Sequence, residues 1–293
     1  MRNFFVRRII GIVILIVLIG TSIYIFNYLE NKKKIDLLDQ LEVNKIYFQS
    51  HEIIGYSVEN RKIEVYTFGQ GEKNLLFVGG IHGGYEWNSV LLAYKFIDYL
   101  RIHPSLVPEN IKLTIIPSAN PDGLYQITGR EGFFKTEDVK ESQTFGLGRF
   151  NANDVDLNRN FDCKWQPRST WKSNPVSAGT SAFSEPESLA IKNYVLENNP
   201  IAVIFWHSQS NAVYASECEN GILPKTLEIM NVYSKASGYK AVDSFDAYEV
   251  TGDAEGWLAS INIPAITVEL KTHETIEWDK NLKGVNALLD YYR

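Results

Sequence analysis

Two histidines and a glutamate have the side chains that a catalytic zinc site requires. His82 and Glu86 lie in the segment GGIHGGYEWNS, and His207 lies in the segment IFWHSQS. Two imidazoles and one carboxylate leave one position on a tetrahedral zinc ion open for water. The glycines next to His82 allow the chain to turn sharply, so that His82 and Glu86 can face the same ion. The sequence therefore predicts one Zn²⁺ site per chain, formed by His82, Glu86 and His207.

Other chemistries have no support in the sequence. It contains no HExxH, CxxC, Walker or GxSxG motif, which argues against other zinc sites, phosphoryl transfer and serine hydrolysis. Residues 1–34 hold six basic residues and one acid, so the remaining chain carries a net charge of −11 within the total of −6. Such an acidic domain without a basic stripe repels phosphate backbones, and we expect no nucleic-acid partner.

Four polar side chains stand at the ends of short apolar segments, which are typical of strands buried on both faces. These side chains are His82, Asn120, His207 and Glu269, and the segments are residues 75–81, 113–116, 201–206 and 265–270. In open α/β sheets the ligand crevice lies outside the carboxyl ends of the strands. The sequence therefore predicts that the four side chains converge on one crevice.

Strand and helix patterns alternate along the chain. An alternating segment at residues 62–68 predicts a first strand, and helical patterns cover residues 87–100, 185–198, 226–236 and 278–292. This order predicts an α/β fold: a single layered domain over residues 51–293, with a mixed, largely parallel central sheet flanked by helices. Residues 30–50 are expected to form a polar linker that includes a short helix at LLDQLEV.

Seven segments, taken in chain order, resemble those of the zinc carboxypeptidases, the pancreatic-carboxypeptidase-like metallopeptidases. They are IGYSVENRKIEV from Ile54, GGIHGGYEW, NPDG from Asn120, VDLNRNF from Val155, SEPE from Ser184, FWHSQ from Phe205 and TVEL from Thr267. The family usually has two residues between the zinc histidine and glutamate, whereas three residues intervene here. Because Trp87 matches the family's Glu-Trp pair, Glu86 is assigned as the ligand and the additional residue as a loop insertion.

The resemblance implies a role for each of six further residues. Glu269 would be the general base that takes a proton from the zinc-bound water. Asn158 and Arg159 would hold the terminal carboxylate of the substrate, and Arg149 would polarise the scissile carbonyl, with Arg130 as a rival for that role. Tyr248 would close over the substrate. Glu255 would stand at the floor of the pocket for the terminal side chain and favour a basic group.

The N-terminal segment has the composition of a transmembrane signal anchor. Residues 9–26 contain no charge, and extension to residue 29 gives about 31 Å of helix, which matches a hydrocarbon core of about 30 Å. Residues 1–8 form a basic flank, and the alternative is a cleaved signal peptide. The charge bias favours an extracytoplasmic catalytic domain, where Cys163 and Cys218 either pair or remain as buried thiols.

These observations together predict a membrane-anchored zinc metallocarboxypeptidase. Its partner would be a peptide with a free C-terminal carboxylate, including cell-wall peptide stems or substrates with a basic C-terminal residue. Two alternatives remain open from the sequence. One is a zinc amidohydrolase that deacylates N-acyl amino acids, and the other is a catalytically silent binding module.

Overall fold

The computed structural model describes residues 19–35, 48–140 and 146–293. The chain divides into two compact units, Met1–Ile46 and Tyr47–Arg293. In the first unit, residues 19–35 form a helix with exposed side chains. The predicted flank at 1–8, the first part of the predicted anchor at 9–29 and most of the predicted linker lie outside the described residues. No helix in the described ranges has the length and apolar character needed to cross a bilayer.

The second unit is built on one mixed sheet of eight strands. In spatial order these are β1 (Phe48–Tyr56), β2 (Lys62–Phe68), β4 (Ile111–Ile116), β3 (Lys73–Val78), β7 (Ala202–Ser208), β12 (Ala265–Leu270), β8 (Ala212–Ala215) and β11 (Lys240–Val242). The four central strands β4, β3, β7 and β12 are parallel, and so is the pair β8 and β11. The pairs β1 with β2, β2 with β4, and β12 with β8 are antiparallel. The predicted α/β fold with a mixed, largely parallel sheet is confirmed.

In the described part of the second unit, six α-helices connect or flank the strands. They are α1 (Trp87–Ile102), α2 (Pro121–Thr128), α3 (Pro186–Asn198), α4 (Pro224–Ser237), α5 (Ala254–Ser260) and α6 (Trp278–Tyr292). The four helices predicted from periodicity are confirmed as α1, α3, α4 and α6. A proline opens α2, α3 and α4, which is favourable because the first helical position needs no N–H donor.

Two apolar cores cover the two faces of the sheet. All seven residues of β7 are buried, which explains why its sequence shows no alternation between polar and apolar side chains. On one face the ring of Trp206 stacks between Phe77 and Phe96, with centroid distances of 5.1 and 5.2 Å. Fully burying one Phe side chain contributes roughly 1.5–3 kcal/mol. The central strands are therefore a rigid platform for the residues at their carboxyl ends.

The strand β1 is not predicted by the sequence pattern, which instead extends a polar linker to residue 50. This strand lies at the edge of the sheet, next to β2, with which it pairs. Several of its side chains are exposed, so it lacks the continuous apolar segment that identifies a central strand.

A disulfide joins Cys163 to Cys218, across 55 positions of sequence. This pairing decides between the two alternatives that the sequence left open for these cysteines. Two small sheets, β5 (Arg168–Trp171) with β6 (Asn174–Ser177) and β9 (Glu217–Cys218) with β10 (Gly221–Ile222), lie in the same part of the chain.

Candidate metal centre and active-site cleft

The structure brings His82, Glu86 and His207 together as a compact ligand set. Nδ1 of His82 lies 2.8 Å from Oε1 of Glu86, and Nδ1 of His207 lies 3.1 Å from Oε2 of the same carboxylate. The two Nδ1 atoms are 3.2 Å apart. Two nitrogens on one tetrahedral zinc ion are separated by about 3.3 Å when each bond is about 2.0–2.1 Å. All three side chains are buried, and their ligand atoms lie within 4.8 Å of one another. The donor set and its geometry therefore fit zinc.

The turn between β3 and α1 explains how the additional residue is accommodated. Residues Gly83–Glu86 form one turn of 3-10 helix, and across this turn Nδ1 of His82 lies 2.8 Å from Oε1 of Glu86, so the two side chains face each other. Gly83 has a φ of +49°, and a Cβ on this residue would lie 2.5 Å from the carbonyl oxygen of Gly148. A side chain at this position is therefore excluded by both the backbone conformation and the close contact.

The parallel pairing of β7 with β12 places Glu269 next to His207. The two residues are register partners at the carboxyl ends of their strands. The backbone N–H of Ser208 donates to Oε2 of Glu86 at 3.1 Å. The carboxyl ends of β7 and β12 thus position His207 and the predicted general base Glu269, and the backbone of Ser208 positions Glu86.

Carboxylates also lie beyond the outer nitrogens of both histidines. Nε2 of His207 is 3.1 Å from Oε1 of Glu255, whereas Nε2 of His82 is 3.5 Å from Oδ1 of Asp156, beyond ordinary hydrogen-bond length. Outer carboxylates of this kind orient the imidazole rings of metal ligands.

The charges of the ligand set determine its protonation. Burial favours the neutral form of Glu86, but His82 and His207 outweigh this effect and hold its pKa well below the usual value. Burial also opposes the charged form of His207, yet Glu86 and Glu255 raise its pKa well above the usual value. A metal ion that binds Nδ1 of His207 must therefore displace a proton.

Glu269 has the opposite environment to that of Glu86. Its Oε2 is buried and has no hydrogen-bond partner among the residues that the structure describes. Burial, together with the negative charge of Glu86, raises the pKa of Glu269 to about 8. A carboxyl group with a pKa close to neutrality can both accept and return a proton.

Two arginines line the same cavity, and different groups hold their guanidinium groups. Nε and Nη2 of Arg149 donate to Oδ2 of Asp156 at 3.0 and 2.8 Å, and its guanidinium lies 4.3 Å from the ring centroid of Trp171. Nε and Nη2 of Arg159 donate to the carbonyl oxygen of Thr170. The rival candidate Arg130 is exposed and pairs with Asp138. It is not among the described residues that line this cavity.

The cavity has a volume of about 980 Å³ and is lined by all nine of the predicted site residues. Asn158 accepts a hydrogen bond at Oδ1 from the backbone N–H of Ala254 at 2.8 Å. The ring of Tyr248 packs edge-on against Phe245, and burial raises the pKa of its phenol. The nine residues are His82, Glu86, Arg149, Asn158, Arg159, His207, Tyr248, Glu255 and Glu269.

One of the four predicted strand-end residues does not reach the cavity. Asn120 is fully buried, caps α2 by accepting from the N–H of Gly123 at 2.9 Å, and donates to the carbonyl oxygen of Arg149 at 3.1 Å. It therefore supports the backbone of Arg149 instead of facing a ligand. The predicted convergence is confirmed for His82, His207 and Glu269 and is wrong for Asn120.

Sequence reasoning missed several side chains of the cleft. Asp156 anchors Arg149, and Asp156 belongs to the VDLNRNF segment that already pointed to this site. Tyr85, Trp171 and His273 form an aromatic wall in which the Tyr85 ring lies 5.1 Å from Trp171 and 4.7 Å from His273. No motif connects these three residues, because only the tertiary fold brings them together.

Comparisons with known proteins give a consistent result. The zinc carboxypeptidase family matches residues 35–282. Gamma-D-glutamyl-L-diamino acid endopeptidase 1 of Lysinibacillus sphaericus is 27% identical over 240 residues, which are 74% of this chain and 59% of that protein. The YqgT protein of Bacillus subtilis is also 27% identical, over 71% of this chain and 62% of its own length. The chain thus spans about six tenths of the length of these relatives.

Solved structures share the fold. The murein-tripeptide amidase MpaA from Escherichia coli O157 superposes with a TM-score of 0.61 at 24% identity, covering 84% of this chain and 94% of that one. Bovine thrombin-activatable fibrinolysis inhibitor superposes with a TM-score of 0.64 at 19% identity, covering 89% and 93%. Because the family match extends over most of the sequence and includes all three metal-site residues, this chain belongs to the zinc carboxypeptidase family.

Proposed function

We propose that this protein is a zinc-dependent metallocarboxypeptidase that hydrolyses the C-terminal amide bond of peptides. One observation carries the proposal: three side chains that can bind a metal share a cavity with Glu269, whose Oε2 is buried without a hydrogen-bond partner in residues 19–35, 48–140 and 146–293. A buried carboxylate without a partner is costly, and such groups are concentrated at sites where protons are transferred.

Two observations support a catalytic role for Glu269: its position in the cavity and its raised pKa. A zinc ion bound by His82, Glu86 and His207 would supply positive charge that makes a water molecule more acidic. Glu269 accepts the proton of the attacking water and later donates it to the nitrogen of the leaving amine. A pKa near 8 brings the carboxyl group close to the range in which both transfers occur.

Arg149 would stabilise the negative charge that develops on the scissile carbonyl oxygen. Two hydrogen bonds to Asp156 fix the guanidinium, and Nη1 lies 3.9 Å from Oε1 of Glu86. A positive group that is already oriented costs no reorganisation when charge develops in the transition state.

Asn158, Arg159 and Tyr248 would bind the terminal carboxylate. All three line the cavity, and Arg159 is held by the carbonyl oxygen of Thr170. A guanidinium matches a carboxylate in a bidentate geometry that lysine does not offer. The phenol of Tyr248 would close over the bound residue.

The substrate class that we propose is a peptide with a basic or diamino acid at its C-terminus, including cell-wall peptide stems. The carboxylates Glu217, Glu249 and Asp253 line the cavity and would favour an amine through charge complementarity. The names of two similar proteins, a gamma-D-glutamyl-L-diamino acid endopeptidase and a murein-tripeptide amidase, support a substrate of this kind.

The test combines metal analysis with mass spectrometry of products. The purified chain is incubated with a mixed peptide library and with muropeptides. We expect one bound zinc per chain and loss of single C-terminal residues, which Glu269→Gln abolishes while zinc is retained. The matched control Glu197→Gln, at an exposed position on α3, should leave turnover unchanged. Cleavage of N-acyl amino acids alone would support an amidohydrolase instead, and a chain without zinc would support a silent binding module.

We also propose that residues 9–29 anchor the protein in a membrane with its catalytic domain outside the cytoplasm. The apolar composition of this segment and the basic residues before it support the anchor. The disulfide between Cys163 and Cys218 supports an oxidising compartment. Fractionation of cells and proteolysis of intact cells test the proposal, which fails if the catalytic domain is protected until the cells are broken.

A further inference from the structure

Glu255 has a position that differs from that of a free carboxylate at the floor of a binding pocket. It lies in the first turn of α5 and is only 3% exposed. Its Oε1 lies 3.1 Å from Nε2 of His207 and accepts a hydrogen bond from Oγ1 of Thr267 at 3.0 Å. One oxygen of this carboxylate is therefore already engaged with a residue of the metal site.

The two ring nitrogens of His207 face different groups. Nδ1 points to Glu86 and to Nδ1 of His82, which is the side where the ligand atoms meet. Nε2 points to Glu255. A carboxylate can only accept a hydrogen bond, so the contact with Glu255 keeps the proton on Nε2. In the neutral ring the lone pair of Nδ1 is then directed at the ligand set.

We propose that Glu255 is a positioning residue that orients His207 and fixes its tautomer for metal binding, and that it does not primarily recognise the terminal side chain of a substrate. The proposal rests on the proposed function only in taking His207 as a zinc ligand. It assigns to a pocket carboxylate a role in holding the metal site together.

The surroundings of Glu255 are rigid enough for this role. Thr267 lies on β12, two residues before Glu269, and pairs in register with Phe205 of β7, two residues before His207. Strand β7, which carries His207, and strand β12, whose Thr267 donates to Glu255, are thus direct neighbours. The first turn of α5 is fixed from the other side, because Oδ2 of Asp253 accepts from the N–H of Gly256 at 2.7 Å.

The second histidine provides an internal comparison. The carboxylate nearest to the outer nitrogen of His82 belongs to Asp156, and that carboxylate receives two hydrogen bonds from Arg149. Nε2 of His82 has no hydrogen-bond partner in the described residues. Of the two imidazoles, His207 therefore has the shorter and better-defined outer contact, and we expect its loss to affect metal binding.

The test measures the zinc dissociation constant of the full chain by competition with a chromogenic chelator. Loss of an outer partner of a metal ligand typically costs 10- to 100-fold in affinity, and we expect a loss in this range for Glu255→Ala. Glu255→Gln keeps an oxygen that can accept from Nε2, so a smaller loss is expected. The control Asp253→Asn removes a neighbouring pocket carboxylate that does not contact His207, and asparagine preserves the helix cap. Its zinc affinity should remain within twofold of wild type.

Two further measurements separate this role from the alternatives. The absorption spectrum of the cobalt-substituted protein should change in Glu255→Ala and not in Asp253→Asn, because only the first variant alters a ligand's orientation. Thermal unfolding of the zinc-free variants checks that each one folds. If the alanine variant does not fold, the isosteric Glu255→Gln still provides the test.

One result would contradict the proposal: both Glu255→Gln and Glu255→Ala bind zinc as tightly as wild type and lose only the preference for C-terminal lysine over phenylalanine. That outcome would overturn the proposal and assign Glu255 to side-chain recognition. A wild-type chain that binds zinc but cleaves no peptide would remove the proposed function, while the zinc affinities would still decide the role of Glu255.

Discussion

Glu86 and Glu269 have pKa values that are shifted in opposite directions within one cavity. Glu86 lies between two imidazoles, which stabilise its ionised form and lower its pKa. Glu269 is buried and close to the negative charge of Glu86, and these two effects raise its pKa to about 8. Environments that push the pKa values of two carboxyl groups apart identify which one is a ligand or stabiliser and which one transfers protons.

The pH dependence of the reaction follows from the state of Glu269. If Glu269 is the general base, as proposed, it must be ionised, so we expect kcat/KM to fall as the pH is lowered through its pKa. The positive charge of a bound zinc ion lowers this pKa from the value of about 8. The acidic limb of the profile should therefore have an apparent pKa between the usual 4.5 and 8. A kcat/KM that increases from pH 7 to pH 5 would contradict the role of Glu269 as base.

Arg149→Lys tests electrostatic stabilisation at the carbonyl oxygen. Lysine keeps the positive charge but cannot reproduce the paired hydrogen bonds to Asp156 that orient the guanidinium. Loss of one donor to a developing oxyanion costs about 10²–10³ in kcat, and we expect a decrease of that order with zinc content unchanged. The control Arg130→Lys alters an exposed arginine that pairs with Asp138, and its kcat should equal that of wild type. If the Arg130 variant loses activity and the Arg149 variant does not, the two roles are reversed.

At the scale of elements, the strands of the site were predictable because each has a strong local signal. Strands β3, β7 and β12 are buried on both faces, so their sequences are continuous apolar segments, and polar residues mark where these segments end. Three of the four strand-end residues reach the cavity for that reason. Asn120 does not, because a residue before a proline-initiated helix serves equally well as a helix cap.

Other elements of the site could not be predicted from local patterns. The contact between Glu255 and His207 joins residues 48 positions apart, and it depends on where α5 packs against β12. The edge strand β1 has exposed polar side chains and therefore resembles a linker in sequence. Family resemblance identified Glu255 as a pocket residue, but only the three-dimensional arrangement shows that its carboxylate contacts a metal ligand.

Gly83→Ala tests whether the 3-10 turn between β3 and α1 sets the position of Glu86. The added Cβ would approach the carbonyl oxygen of Gly148 to 2.5 Å, and alanine disfavours a φ of +49°. We expect the turn to shift and the zinc affinity to decrease at least tenfold, as measured by chelator competition. Gly238→Ala is the control, because Gly238 also has a positive φ but open space around its Cβ position. It should lower the free energy of unfolding by about 1 kcal/mol without changing zinc affinity.

At the scale of the whole second unit (Tyr47–Arg293), the candidate metal centre and the wall of the cavity depend on different parts of the chain. The three ligands stand on the central sheet and the turn that follows β3, which are surrounded by apolar side chains. Part of the wall comes from the segment around Cys163 and from β9, where the disulfide connects them. The backbone N–H of Gly252 also donates to the carbonyl oxygen of Cys163 at 2.7 Å, next to the segment that carries Tyr248. We therefore expect the disulfide to affect stability and the wall of the cavity more than it affects the ligand set.

Replacement of both cysteines by serine tests this separation. Chain entropy predicts that a cross-link across 55 positions contributes about 4 kcal/mol to the free energy of unfolding, within a usual range of about 2–4 kcal/mol. The double variant Cys163→Ser with Cys218→Ser should therefore unfold at a lower denaturant concentration, as should wild type under a reductant. Zinc affinity at low temperature should change less than threefold, because neither cysteine contacts a ligand, whereas KM should increase as the wall loosens. A large loss of zinc affinity in the still-folded double variant would show that the metal centre depends on the cavity wall, and the two parts of the site would then have to be treated as one.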